Sequence, residues 1–112
     1  MGPLKLIETD PGKYSLLLNA GTTPVDDLIE ELGHEPNGYF WEGVAQLLVS
    51  AHAPALDGRF SYDPEAGMFC AYGHDRVALQ QLERLMATVA TDADRMRDLI
   101  ALAAAEGFEF DD

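Results

Sequence analysis

The side chains that could do chemistry are scattered along the chain. His34, His52 and His74 could ligate a metal or carry a proton, and Cys70 could act as a nucleophile. Ligands reach one metal when a spacing such as HxH, HxxxH or HxxE puts them on one face, and no histidine here has such a partner. Cys70 lies between Phe69 and Ala71 with no second cysteine and no evident base, so it is expected to fill core space. Ser15, Ser50 and Ser61 stand outside any GxSxG turn, and no phosphate loop or GxGxxG occurs. Catalysis needs a nucleophile, a base and a place for developing charge. The expectation is therefore no catalytic residue, no metal site and no cofactor.

What remains is carboxylate. Asp26, Asp27, Glu30, Glu31 and Glu35 fall within ten residues, and no Lys or Arg occurs from 14 to 58. Asp26–Glu30 and Asp27–Glu31 are like-charge i,i+4 pairs, each costing a few tenths of a kcal/mol on an exposed helix. The helix dipole offsets part of this for Asp26 and Asp27, but less for Glu30 and Glu31. One reading is a solvated face of an acidic protein. The other is a surface completed by a basic partner, with the aromatic Tyr39 and the acidic turn residues Asp63 and Glu65 as further contact candidates.

The whole composition points the same way. Twenty acids against seven bases give a formal charge of −13 in 112 residues. Phosphate backbones and anionic membrane surfaces repel such a chain, so a basic protein is the natural complement; plain solubility is the alternative use of the charge. A lone cysteine excludes an internal disulfide and suits a reducing compartment. Met1-Gly2-Pro3-Leu4-Lys5 does not open a signal peptide, and no apolar run approaches about 18 residues. The expectation is a soluble, cytoplasmic protein forming one domain over 1–112, with 47% hydrophobic residues to build a core.

The elements that would position these side chains can be read from periodicity and punctuation. Leu4 to Glu8 and Lys13 to Leu18 read as strands joined by Thr9-Asp10-Pro11-Gly12, with apolar residues on both faces of the second. Thr23 is expected to cap a helix with Pro24 first, the stripe Val25, Leu28, Ile29 and Leu32 inward, and Gly33 as its stop. After a loop from His34 to Gly38, a second helix buries Trp41, Val44, Ala45, Leu48 and Val49. Trp41 is expected in the core with its N–H on a nearby carbonyl. Arg59 to Tyr62 and Met68 to Tyr72 form a second hairpin around Asp63-Pro64-Glu65-Ala66-Gly67. Asp75 caps a third helix, and Thr91 with Asp94 caps a fourth that Gly107 ends, leaving Phe108 and Phe110 in a tail. The order ββααββαα predicts an α+β fold, one antiparallel four-stranded sheet with helices packed on it.

Two segments carry more than periodicity: Asn37-Gly38-Tyr39-Phe40-Trp41-Glu42-Gly43-Val44-Ala45, and Asp63-Pro64-Glu65-Ala66-Gly67-Met68-Phe69-Cys70-Ala71-Tyr72. From about Tyr14 to about Val89 the chain resembles the immunity protein 51 family, antidotes encoded beside bacterial polymorphic toxins. That family has a similar glycine-tyrosine-x-tryptophan-glutamate block at the mouth of a helix. It also has a similar aspartate-proline-glutamate-alanine-glycine turn before a Met-Phe-Cys-Ala-Tyr-like strand. The resemblance implies a protein that neutralises a cognate toxin by binding it, and a nuclease toxin would supply a basic groove. A small acidic adaptor unrelated to toxins is the other class of function compatible with the residues alone.

Overall fold

The computed structural model describes residues 3–112. β1 (Leu4–Asp10) and β2 (Lys13–Asn19) form an antiparallel hairpin in which Asp10 pairs with Lys13. Thr9 and Asp10 thus belong to the strand rather than the turn, and the register shifts between Glu8 and Asp10 to accommodate them. Only Pro11 and Gly12 make the connection, Gly12 at φ +80°.

β2 pairs next with β4 (Met68–Gly73), and β4 with the two-residue β3 (Ser61–Tyr62), in the order β1-β2-β4-β3. The four-stranded antiparallel sheet and the ββααββαα order are as the sequence predicts. Leu16 and Leu18 on β2, with Phe69 and Ala71 on β4, point to the helices and lose all exposure. Their neighbours point the other way, where no helix covers the sheet. Cys70 is one of these: alternation sends it to the uncovered face, half-buried, and not into the core as its apolar neighbours suggested.

α1 (Asp26–Glu31) is one short helix. Thr23 does not cap it, because its hydroxyl donates to the Asp26 carboxylate instead of accepting from a backbone N–H. Val25 takes the cap position, its carbonyl accepting from Ile29 at 3.0 Å. Gly33 (φ +88°) closes the other end as His34 N reaches back to Ile29 O and Gly33 N to Glu30 O. That early stop carries Leu32 off the buried stripe to 39% exposure.

α2 (Gly38–His52) is the structural axis. Asn37, read only as loop from the sequence, caps it by accepting from Phe40 N at 2.9 Å. Phe40, Trp41, Val44 and Ala45 are wholly buried. Trp41 is the expected anchor, yet its indole N–H meets no acceptor among the described residues.

A 3₁₀ turn (Pro54–Leu56) leads to β3, which has two residues and not the expected four: Arg59 N is held back to Leu56 O at 3.0 Å, in the turn rather than in the sheet. α3 (Arg76–Ala90) begins at the Asp75 cap as predicted. α4 (Ala93–Glu106) begins instead at Asp92, whose carboxylate accepts from Asp94 N and Arg95 N. The Thr91 hydroxyl turns back to Ala87 O on α3. α2 and α3 lie on the sheet, and α4 packs against α3, α2 and α1.

Candidate interaction surface

Two glycines on α2 decide how the outlying segments reach one another. Gly38 sits against the turn that joins β3 to β4: its N–H donates to Ala66 O at 3.1 Å, and a Cβ there would lie 1.9 Å from Glu65 O. The same turn is held from β2 by Ala20 N on Gly67 O at 3.0 Å. The two segments singled out in the sequence are therefore in direct contact, and Tyr39 and Glu65 flank that contact.

Gly43 receives the tail. Phe110 lies in its notch, where a Cβ would come within 2.6 Å of the ring, and it stacks on Phe40 at 4.7 Å. The ring also meets His34 edge-on at 4.9 Å and Phe108 at 5.2 Å. Beyond it, the Asp112 carboxylate accepts from Glu35 N at 2.7 Å and lies 3.1 Å from His34 Nδ1. The tail is docked, and it adds carboxylate to the end of the acidic stretch.

Asp27, Glu30, Glu31 and Glu35 are exposed, with Asp26 half-buried beside Thr23. Among the described residues none of these carboxylates pairs with a Lys, Arg or His. Leu32 and Tyr39, at 39% and 38% exposure, supply apolar surface beside them. The helical stripe runs through Leu32 and points it inward, but Gly33 directly after it ends the helix and leaves it exposed.

Asp63 stands apart. Its backbone N–H donates to Cys70 O at 3.0 Å, and it lines an open depression of ≈ 610 Å³ on the uncovered face with Ser15, Cys70 and Tyr72. Burial first, and the Asp63 charge second, push the Cys70 thiol up, so it stays a poor nucleophile.

A second set of carboxylates was not legible. Glu42 on α2 is raised by burial and then by Asp111, which the docked tail brings near. The Tyr62 phenol is pushed up to about 12 by burial, with Glu42 and then Asp57 adding to it. Among the described residues no group of three or more His, Cys, Asp or Glu could hold a metal ion, and no helix is long and apolar enough to cross a membrane.

A family model described as Immunity protein 51 matches residues 4–105. The chain belongs to that family. The match runs from the first residue of β1 to one residue short of the end of α4, well beyond the 14–89 stretch that carries the recognisable motifs. Of the contacts that set the candidate surface, the Gly38 junction lies inside the matched region and the docked tail outside it. No curated protein and no solved structure matches the chain.

Proposed function

We propose that this protein neutralises the cognate toxin of a bacterial polymorphic toxin system by binding it directly, with no chemistry of its own. The observation that carries the reading is the family match over 4–105. The surface assigned to capture is the acidic one: Asp26, Asp27, Glu30, Glu31 and Glu35, with Tyr39, Glu65 and the outlying Asp63. Among the described residues no Lys, Arg or His answers these carboxylates, and only Asp26 has a side-chain partner, the Thr23 hydroxyl. A basic toxin surface, such as the phosphate-binding groove of a nuclease, supplies the missing charge.

Charges at a contact rim chiefly steer encounter, whereas buried apolar anchors hold the complex. We assign those anchors to Leu32 and Tyr39, which leave apolar surface exposed near the acidic stretch. Inside the bacterial cytoplasm, where the toxin would act on its own producer, fast capture is the useful property.

The test is co-expression with the toxin-like reading frame beside the gene, scored for rescued growth and for co-purification. Purified partners then allow a kinetic comparison. Neutralising Asp27, Glu30, Glu31 and Glu35 together lowers the association rate and flattens its salt dependence, while the melting temperature of the free protein holds or rises. An association rate equal to that of the unaltered protein removes this surface from the reading.

A further inference from the structure

Between α2, the 3₁₀ turn and β3 lies a depression of ≈ 350 Å³, near the lower end of ligand-sized clefts. Its walls are apolar: Val49 from α2, Leu56 from the turn, and Phe60, whose ring meets Tyr62 edge-to-face at 5.7 Å. Its polar residues include one carboxylate and three groups that can accept a hydrogen bond. The Asp57 carboxylate lines it, as do the Gln46 amide and the hydroxyls of Ser50 and Tyr62. Ser50 already donates its hydroxyl proton to Leu47 O at 3.1 Å, which leaves its lone pairs free.

No base answers these groups. The lining contains no Lys or Arg, and the next base along the chain, Arg59, sends its guanidinium to Asp75 at 3.1 Å. Glu42 stands one helical turn before Gln46 on the same side of α2, close enough to Tyr62 to act on its phenol. The site thus joins a narrow apolar cleft to convergent acceptors and net negative charge.

We infer that this cleft is a socket for one basic side chain of the partner, an arginine. The choice follows from the shape. A guanidinium presents five donors in a plane, which suits a carboxylate, an amide oxygen and two hydroxyls spread around one opening. Its methylene stem lies along Val49 and Leu56, and its face lies against an aromatic ring. The cleft has room for one long side chain and not for a helix. The socket rests on the reading of the protein as a toxin binder, but on elements other than α1, so the two can fail separately.

Two measurements decide it. The first uses N-acetyl-arginine methylamide as the probe, titrated into the full chain and followed by amide NMR shifts. The citrulline analogue, same shape without the charge, is the control. Saturable shifts at Gln46, Asp57, Gly58 and Tyr62 are expected with arginine only, and Asp57→Asn removes them without altering the melting temperature. The second measures toxin affinity for Asp57→Asn and for Gln46→Leu, both at exposed positions where the fold is not at stake. About a tenfold loss, expressed in the dissociation rate, is expected. Equal shifts with arginine and citrulline, or toxin affinity unchanged in both variants, overturns the socket. If the unaltered protein binds no toxin at all, the toxin reading falls, and the arginine titration alone still decides whether the socket exists.

Discussion

Adding one methyl group at Gly38 and one at Gly43 makes the same chemical change on the same helix, and the consequences are expected to differ sharply. At Gly38 the new Cβ would lie 1.9 Å from Glu65 O and 2.3 Å from Met68 O, both main-chain atoms of a turn already bonded to Ala20 and Gly38. Ordinary contact needs about 3.4 Å, so the turn or the helix start must retreat by about 1.5 Å. Overpacking of this kind costs about 1–3 kcal/mol. Losing the Gly38 N to Ala66 O bond adds about 1 kcal/mol, and better helix propensity returns at most about 1 kcal/mol. Gly38→Ala should therefore lose about 1–3 kcal/mol, a fall in Tm on the order of 4–12 °C for a chain of this size. At Gly43 the obstacle is the Phe110 ring, the end of a side chain on a tail that can shift. There the propensity gain and the displaced ring nearly cancel, for a net change within about 1 kcal/mol. The assay is urea and thermal unfolding of both variants, with hydrogen exchange read separately at Ala66–Met68 and at Phe108–Asp112. Gly38→Ala should deprotect the turn, and Gly43→Ala the tail. A Gly38→Ala protein as stable as the parent, or a Gly43→Ala protein that loses more, would refute the idea that the turn contact sets the start of α2.

Trp41→Ala should cost about 3–5 kcal/mol, since the side chain is wholly buried, whereas Trp41→Phe should cost much less because the indole N–H has no acceptor to lose; iodide should fail to quench Trp41 fluorescence in the parent protein. Burial and Asp111 raise Glu42, so the folded state favours its protonated form. That contribution is full below the ordinary glutamate range and is lost as pH rises through the raised value; Glu42→Gln should therefore raise Tm at neutral pH and leave it unchanged in acid, as pH-dependent melts will read. Tyr62 follows the same sign at the other end of the scale: stability should fall from pH 10 to about 12, and Tyr62→Phe should flatten that fall. Cys70→Ala should change stability by about 1 kcal/mol or less and leave toxin affinity intact, because the thiol is half-buried and held in its unreactive form.

Legibility in the sequence tracked the range of the interactions involved. Strand alternation in Lys13–Asn19 and Met68–Gly73 is a local signal, and both strands appeared where it placed them. Asp75 as a cap and Gly107 (φ +72°) as a stop are likewise decided within a turn of chain. Two of the departures are cases in which two local solutions competed. Thr23 could cap or bond the Asp26 carboxylate, and Thr91 could cap or return to Ala87; each took the option that the pattern did not favour. The candidate surface was half legible. Its carboxylates could be read directly and Gly33 flagged Leu32 locally, but Asp112 at His34 and Glu35, and Asp111 near Glu42, arrive through a tail that meets the chain again about seventy residues away. No local pattern announces such a meeting, although Gly43 in a helix otherwise rich in large side chains marked the place where something had to fit.

The separation between frame and acidic face has an evolutionary consequence. The junction that orients α2 depends on backbone groups of Gly38, Ala66, Ala20 and Gly67, so it imposes little on neighbouring side chains beyond the requirement for glycine at Gly38. Asp27, Glu30 and Glu31, by contrast, make no side-chain hydrogen bond or ion pair among the described residues. Their identities are therefore free of folding obligations, and drift at these positions costs the molecule almost nothing. This face can therefore be rewritten one residue at a time with each intermediate still folding, whereas a side chain at Gly38 would collide with the turn's backbone.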